Sequence, residues 1–280
     1  MTSAWFTTFG RPRTGATRLL CMSGGGAFAS EYQRWPEALG RSADVVAVVL
    51  PGRERRIREP GIHAMTELVD ALATEIEPWL DEPMAMFGHS LGALVLFELA
   101  SSLRNRFSPV HLFVSGERAP TVRSPSYLPS SCTDEDILNH VRELNGAPED
   151  LLVNRAFMRS FLPGMRADIS VRESYCHDFQ APPLSCPITA FVGDHDSPAG
   201  TLEEARAWGL ETSGPFEMVM VPGRHLFLRT DFSIVTDHTA AKLADACSEV
   251  FPRPVDEEAI WIARDRPSLA HNAHGQGSFK

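Results

Sequence analysis

Six short apolar runs punctuate the chain, at 18–22, 44–50, 84–87, 110–115, 188–192 and 216–221. Each has the length of a buried strand and is too short for an ordinary helix. Segments with helical periodicity separate them, at 65–80, 91–103 and 202–208, and a further one at 236–250 closes the series. Uninterrupted apolar strands alternating with helices predict an α/β fold: a mostly parallel sheet covered by helices on both faces. Its crossovers should be right-handed.

One stretch breaks the alternation. Between about 120 and 183 no strand is legible, but helices are. Thr133-Asp134-Glu135-Asp136 has the form of a capping box opening a helix at 134–144. Pro148 precedes a second helical segment at 149–161, and a third runs over 166–175. An all-helical insertion of this kind is either a peripheral decoration or a lid over the carboxyl edge of the sheet. Its apolar cluster of Phe157, Met158, Phe161, Leu162 and Met165 either packs onto the main domain or lines a pocket. Residues 1–16 read as an irregular leader, 17–251 as one domain, and 252–280 as a disordered tail in which only Ile260-Trp261-Ile262 could dock.

Composition changes the picture mainly by exclusion. The 280 residues carry 26 Lys plus Arg against 36 Asp plus Glu, a formal net charge of −10. Phosphate neutralisation drives non-specific nucleic-acid binding, so an acidic chain is a poor candidate for it, and equally for docking on anionic lipid. The longest apolar run, 45–50, is six residues, against roughly 20 needed to span a bilayer. Met1 to Gly10 lack a charged start followed by an apolar stretch, so no secretory signal is expected and the cytoplasm is the expected compartment. Five scattered cysteines without a CxxC pair suggest neither a disulfide framework nor a zinc site. Cys21 and Cys247 read as small core residues.

The chemistry is concentrated on three turns. Gly88-His89-Ser90-Leu91-Gly92 fits G-x-S-x-G, follows an apolar strand and precedes a helix, which is the context of a nucleophile elbow. A serine hydroxyl needs a base, and the base needs an orienting acid. Among ten histidines, His225 is the best placed, on the loop that Pro222-Gly223 opens after the strand at 216–221. In a parallel sheet such loops at the carboxyl ends of strands form the site. The acid should lie between Ser90 and His225 in the chain. Gly193-Asp194-His195-Asp196, at the end of the strand at 188–192, offers both Asp194 and Asp196. A metal reading of that segment fails because neighbouring side chains diverge and no further ligands accompany it. The oxyanion of an acyl transfer needs donors. The Leu91 amide supplies one, and the glycine-rich loop Met22-Ser23-Gly24-Gly25-Gly26-Ala27-Phe28 should supply the second. That loop lacks the Lys-Ser/Thr ending of a P-loop and the spacing of G-x-G-x-x-G.

Taken together, these segments resemble the type II thioesterases of polyketide and nonribosomal peptide biosynthesis, within the α/β-hydrolase superfamily. The likeness extends over about 17–250. It rests on Gly24-Gly25-Gly26 with Tyr32 and Trp35, Leu50-Pro51-Gly52-Arg53, the Ser90 elbow, Ser115-Gly116-Glu117-Arg118-Ala119-Pro120, Leu162-Pro163-Gly164-Met165-Arg166-Ala167-Asp168, Gly193-Asp194-His195-Asp196 and Gly223-Arg224-His225-Leu226-Phe227. Two segments depart from the usual pattern. Ser23-Gly24-Gly25 stands where the family carries a bulkier residue, and Asp196-Ser197-Pro198 is one residue longer than the usual Asp-Pro turn. The resemblance implies an α/β-hydrolase fold with a helical lid, and Asp196 as the acid. It also implies a carrier-protein partner whose phosphopantetheine arm presents a stalled or misprimed acyl group. No cofactor or metal of the enzyme's own is implied.

The expected reaction is thioester hydrolysis through an acyl-enzyme on Ser90. His225 is base and then acid, Asp196 its orienter, and the amides of Leu91 and Gly25 the oxyanion donors. Phe157, Phe161 and Met165 are the expected acyl-contacting residues. A partner of acidic character needs a local basic patch. Arg53, Arg55, Arg56 and Arg58 form the densest one, unless they simply pair with Glu54 and Glu59. The chain is expected to act as a monomer. Two rivals remain on sequence alone: a product-releasing or cyclising thioesterase or acyltransferase of the same fold, and a non-catalytic carrier-binding scaffold.

Overall fold

The computed structural model describes residues 3–13, 15–122, 128–196, 200–230 and 232–250, the last six as backbone only. In chain order its strands are Phe6–Phe9 (β1), Arg18–Met22 (β2), Asp44–Val48 (β3), Met84–His89 (β4), Leu112–Ser115 (β5), Ile188–Gly193 (β6) and Phe216–Val221 (β7). The helices are Trp35–Leu39 (α1), Met65–Ile76 (α2), Leu91–Leu103 (α3), Asp134–Glu143 (α4), Glu149–Leu152 (α5), Arg155–Glu173 (α6), Leu202–Arg206 (α7), Phe227–Thr230 (α8) and Ser233–Val250 (α9). The strands form one sheet in the order β1-β3-β2-β4-β5-β6-β7. All pairings are parallel except β1 with β3. The mostly parallel α/β sheet expected from the apolar runs is the architecture found.

Strand β1 corrects the reading of residues 1–16 as an irregular leader. Phe6 pairs with Val48 in antiparallel register, and Trp5 and Phe6 are buried. The strand is four residues long and sits at the sheet edge, so it lacks the continuous apolar run that marks a central parallel strand.

Alternate residues of the central strands feed two cores. Along β4, Met84 and Met86 pack with Leu72, Leu94 and Leu96 on the face covered by α2 and α3. Ala85 and Phe87 pack with Trp35, Phe113, Phe191 and Leu243 on the face covered by α1 and α9. Cys21 is fully buried on the second face; the Cys247 side chain lies outside the described residues. Helix α3 is apolar nearly all round because it is buried nearly all round. Among the described residues no helix is long and apolar enough to cross a membrane.

From β2 the chain steps outward to β3 and then returns to the other side of β2 as β4. The carboxyl ends of β2 and β4 therefore flank a topological switch point, where open α/β sheets bind ligands.

The inserted helices have their own small core of Ile137, Val141, Leu152, Met158, Met165 and Ile169. The capping box holds: Thr133 Oγ1 accepts from the Asp136 amide at 3.2 Å, and Asp136 Oδ2 accepts from the Thr133 amide at 2.8 Å. The two segments expected at 149–161 and 166–175 are divided differently. Asn154 caps the amides of Ala156 and Phe157 at 2.9 and 3.1 Å, and the helix it starts runs on through Pro163 to Glu173. A proline inside a helix removes one hydrogen bond and normally ends it. Here the packing of Met158, Met165 and Ile169 on either side carries the helix across. The expectation for 252–280 lies outside the described residues.

Candidate active site

The nucleophile elbow is built by backbone crowding. Ser90 sits between β4 and α3 with φ 52° and ψ −124°, a left-handed conformation that costs a non-glycine residue of order 1–3 kcal/mol and is typical of functional turns. Its amide donates to the Ser115 carbonyl at 2.7 Å, which ties the strained turn to β5. Both flanking glycines are required by space. A Cβ on Gly88 would lie 2.4 Å from the Gly92 carbonyl oxygen, and one on Gly92 would lie 2.3 Å from that of Met22.

His225 follows β7 on the loop opened by Gly223 and is buried. Its Nε2 lies 3.1 Å from Ser90 Oγ, and its Nδ1 lies 3.0 Å from Asp196 Oδ1 and 3.2 Å from Oδ2. A carboxylate only accepts, so Nδ1 carries the proton and Nε2 presents its lone pair to the serine hydroxyl. The Asp196 side chain is wholly buried. Asp194 faces the other way, with its side chain 44% exposed. One Asp194 oxygen accepts from the Gly223 amide at 2.8 Å and from His195 Nδ1 at 2.6 Å. The Gly223 amide first, then His195, holds the Asp194 carboxyl below its usual range. Asp194 thus fixes the loop that carries His225 without touching the imidazole.

His89 turns away from the nucleophile. Its Nδ1 meets Ser115 Oγ at 3.0 Å, and its ring centre lies 5.2 Å from that of His225. Burial, and secondarily the neighbouring His225, push its pKa well down. A neutral ring therefore backs the site.

The loop after β2 lies against the serine: a Cβ on Gly24 would stand 3.1 Å from Ser90 Cβ. The Gly26 amide is already committed, donating to Asp168 Oδ2 at 2.7 Å. Among the described residues no hydrogen bond takes up the amides of Gly25 and Leu91. Leu91 also opens α3, whose N-terminal dipole favours negative charge. These two amides suit an oxyanion.

A cavity of about 120 Å³ lies over Ser90 and His225, with Val141, Leu144, Phe161, Met165, Ile169 and Leu226 among its lining. The inserted helices supply most of these side chains, so the insertion is a lid rather than a decoration. Phe161 and Met165 line the cavity as expected. Phe157 does not: its ring stacks on that of Phe161 with centroids 5.4 Å apart, packed against the lid's own core. The periodicity reading missed His140, Val141 and Asp168, all of which line the cavity. For His140 and Val141 the only signal was membership of the inserted segment, whereas Asp168 closes the family-like segment Leu162–Asp168 without a role having been read for it.

The arginine patch is also corrected. Arg53 and Arg56 are each only 6% exposed. Arg53 pairs with Asp168 at 2.7 Å. Arg56 lies 4.0 Å over the Trp5 ring, pairs with Glu59 at 2.6 Å and donates to the Val49 carbonyl. Arg55 is exposed, but its guanidinium is engaged by Thr7 and by the carbonyls of Ala4 and Phe6. These three hold the fold together and do not form a free docking surface. Glu54, the other expected partner, instead accepts from the Ala29 amide. Among the described residues no group of His, Cys, Asp or Glu is placed to hold a metal ion.

Over 226 residues the chain is 37% identical to the gramicidin S biosynthesis protein GrsT of Aneurinibacillus migulanus, covering 80% of this chain and 88% of that one. It is 36% identical over 241 residues to the thioesterase PikA5 of Streptomyces venezuelae, covering 84% and 85%. The solved structure of the type II thioesterase BorB, from the borrelidin biosynthetic cluster, superposes with a TM-score of 0.80 at 32% identity, over 87% of this chain and 99% of that one. The Thioesterase domain family matches residues 17–243. The chain belongs to the thioesterase domain family, and the solved structures similar to it include the type II thioesterases of the borrelidin cluster and of the yersiniabactin nonribosomal peptide/polyketide pathway.

Proposed function

We propose that this enzyme hydrolyses acyl groups from the phosphopantetheine arm of acyl or peptidyl carrier proteins, unloading stalled or misprimed chains. The observation that carries the reading is the Ser90 Oγ to His225 Nε2 contact of 3.1 Å beneath the lid cavity. Ser90 Oγ attacks the thioester carbonyl as His225 Nε2 takes its proton. The amides of Leu91 and Gly25 receive the oxyanion. The tetrahedral intermediate collapses, the C–S bond breaks, and the departing thiolate takes the proton from Nε2. A water, deprotonated by the same nitrogen, then attacks the acyl-Ser90 ester; the Oγ–acyl bond breaks, Nε2 returns the proton to Ser90 Oγ, and the acid leaves. Asp196 keeps the imidazole in the required tautomer and stabilises its charge. No metal or cofactor enters these steps.

The reading is tested with short acyl thioesters, on carrier protein and on a small pantetheine mimic. Ser90→Ala should abolish turnover on both. Full activity in that variant would sink the assignment. Product masses equal to the free acid support hydrolysis; lactone, lactam or ester products would favour the transfer rival.

A further inference from the structure

The mechanism above assigns no work to one buried arginine–aspartate pair. Arg53, on the loop after β3, and Asp168, on the lid helix α6, are 115 residues apart and have side chains only 8% and 6% exposed. Their hydrogen bonds converge on the glycine-rich loop. Asp168 divides its two oxygens: Oδ1 accepts from Arg53 Nη2 at 2.7 Å, and Oδ2 accepts from the Gly26 amide at 2.7 Å. Arg53 Nη1 donates to the Ala27 carbonyl at 3.1 Å, and Nη2 also donates to the Gly164 carbonyl of α6 at 3.2 Å. The two side chains thus hold the loop at Gly26 and at Ala27, immediately after the Gly25 amide.

We infer that Asp168, held by Arg53, is a positioning residue for thioester hydrolysis, fixing the Gly25–Gly26 segment so that the Gly25 amide points at the oxyanion. The inference rests on the proposed function and deepens it. Gly26 has φ +73°, a conformation that glycine adopts without preference over several others. Within the loop the Ala27 amide donates to the Gly24 carbonyl at 3.1 Å, and the Asp168 carboxylate supplies the acceptor that fixes the Gly26 amide. A carboxylate is a strong acceptor for that amide. Its charge near a developing oxyanion would oppose catalysis, and the Arg53 guanidinium at 2.7 Å offsets it. Because Asp168 belongs to α6, the lid helix that supplies Phe161 and Met165 to the cavity also supplies the strut of the oxyanion loop. Oxyanion geometry is complete only with the lid seated.

The test compares wild type with Asp168→Asn and with the double variant Arg53→Met, Asp168→Leu. An Asn can accept at one position only, and its NH₂ meets a donor at the other. Kinetics on an acyl-pantetheine thioester are paired with inhibition by an alkyl trifluoromethyl ketone, whose hemiketal on Ser90 carries the oxyanion. Misplacing or losing one oxyanion donor costs about 10²-fold in kcat. Asp168→Asn should therefore lose about 10²-fold in kcat with KM changed less than about threefold. Affinity for the ketone should fall by a similar factor. If the single variant does not fold, the double variant carries the test. It leaves no buried charge unpaired, so it should fold, and it should show the same loss. Folded variants with kcat and ketone affinity within threefold of wild type would overturn the inference. So would a fall in thermal stability alone. If wild type itself shows no Ser90-dependent thioesterase activity, the proposed function fails and takes the inference with it. If that activity is present and the variants keep it, only the inference fails.

Discussion

Replacing each of the two neighbouring aspartates by asparagine separates the roles that sequence left open. In Asp196→Asn the amide of the new side chain faces His225 Nδ1, where the two carboxylate oxygens now stand at 3.0 and 3.2 Å. An amide NH₂ donates to Nδ1, which moves the ring proton to Nε2 and removes the lone pair that must take the serine proton. The site is fully buried, so water cannot substitute for the lost carboxylate. Loss of the triad acid in this way lowers kcat by about 10⁴-fold, or about 5.5 kcal/mol of barrier. Asp194→Asn should be mild. Its side chain is 44% exposed, and an asparagine oxygen can still accept from the Gly223 amide. A change in kcat below about threefold is expected for so small an alteration of an exposed hydrogen bond. The assay is release of free thiol from an acyl-pantetheine thioester, with thermal melts to verify folding. A collapse of activity in Asp194→Asn together with near-normal Asp196→Asn would refute the geometry, and would mean that Asp194 orients His225.

Three further expectations follow from packing and charge. Gly92→Ala should destabilise the protein by about 3 kcal/mol, because its Cβ meets the Met22 carbonyl oxygen at 2.3 Å. Gly25→Ala, whose nearest new contact is at 3.7 Å, should change stability by less than about 1 kcal/mol; equal effects in a denaturant titration would contradict this. Burial holds the His111 pKa down at about 4, so the folded state resists a proton that the unfolded chain accepts near pH 6.5. Stability is then full above about 6.5 and falls as pH drops toward 4, by up to about 3 kcal/mol. His111→Gln should flatten that slope in melts across the range, and an unchanged slope would refute the attribution. Arg56→Glu should cost about 3–5 kcal/mol of stability, since it places an acid against Glu59 and under no cation; a stable variant with only a raised KM for carrier-bound substrate would restore the docking reading.

The sequence was legible where chemistry sits on turns that end apolar strands. Ser90, His225 and the aspartate pair each follow such a run, and glycine or proline marks each turn, so strand pattern and turn chemistry agree. The sheet itself was legible for the same reason. What escaped depends on contacts distant in sequence. β1 exists because β3 offers it an edge, and nothing within Phe6–Phe9 requires that. Helix α6 passes Pro163 because neighbouring turns pack into the lid core, which overrides the local rule. Arg53, Arg55, Arg56 and Arg58 read as a basic docking patch or a solvated, ion-paired loop, because four arginines within six residues normally face water. The burial of Arg53 and Arg56 is created by Asp168, more than a hundred residues away, and by Trp5, while the exposed Arg55 is tied down by the Phe6 carbonyl. The choice of Asp196 over Asp194 came from family likeness; the fold expresses it as burial of one carboxylate and exposure of the other.

The most direct test of the account is the mass of the enzyme during turnover. Rapid quenching after mixing with an acyl-pantetheine thioester, followed by intact-protein and peptide mass spectrometry, should show one acyl group added in place of one proton. The modified peptide should contain Ser90, and the adduct should be absent in Ser90→Ala and persist longer in Asp196→Asn. Acyl transfer to another residue, or full turnover with Ser90 replaced, would contradict the central claim.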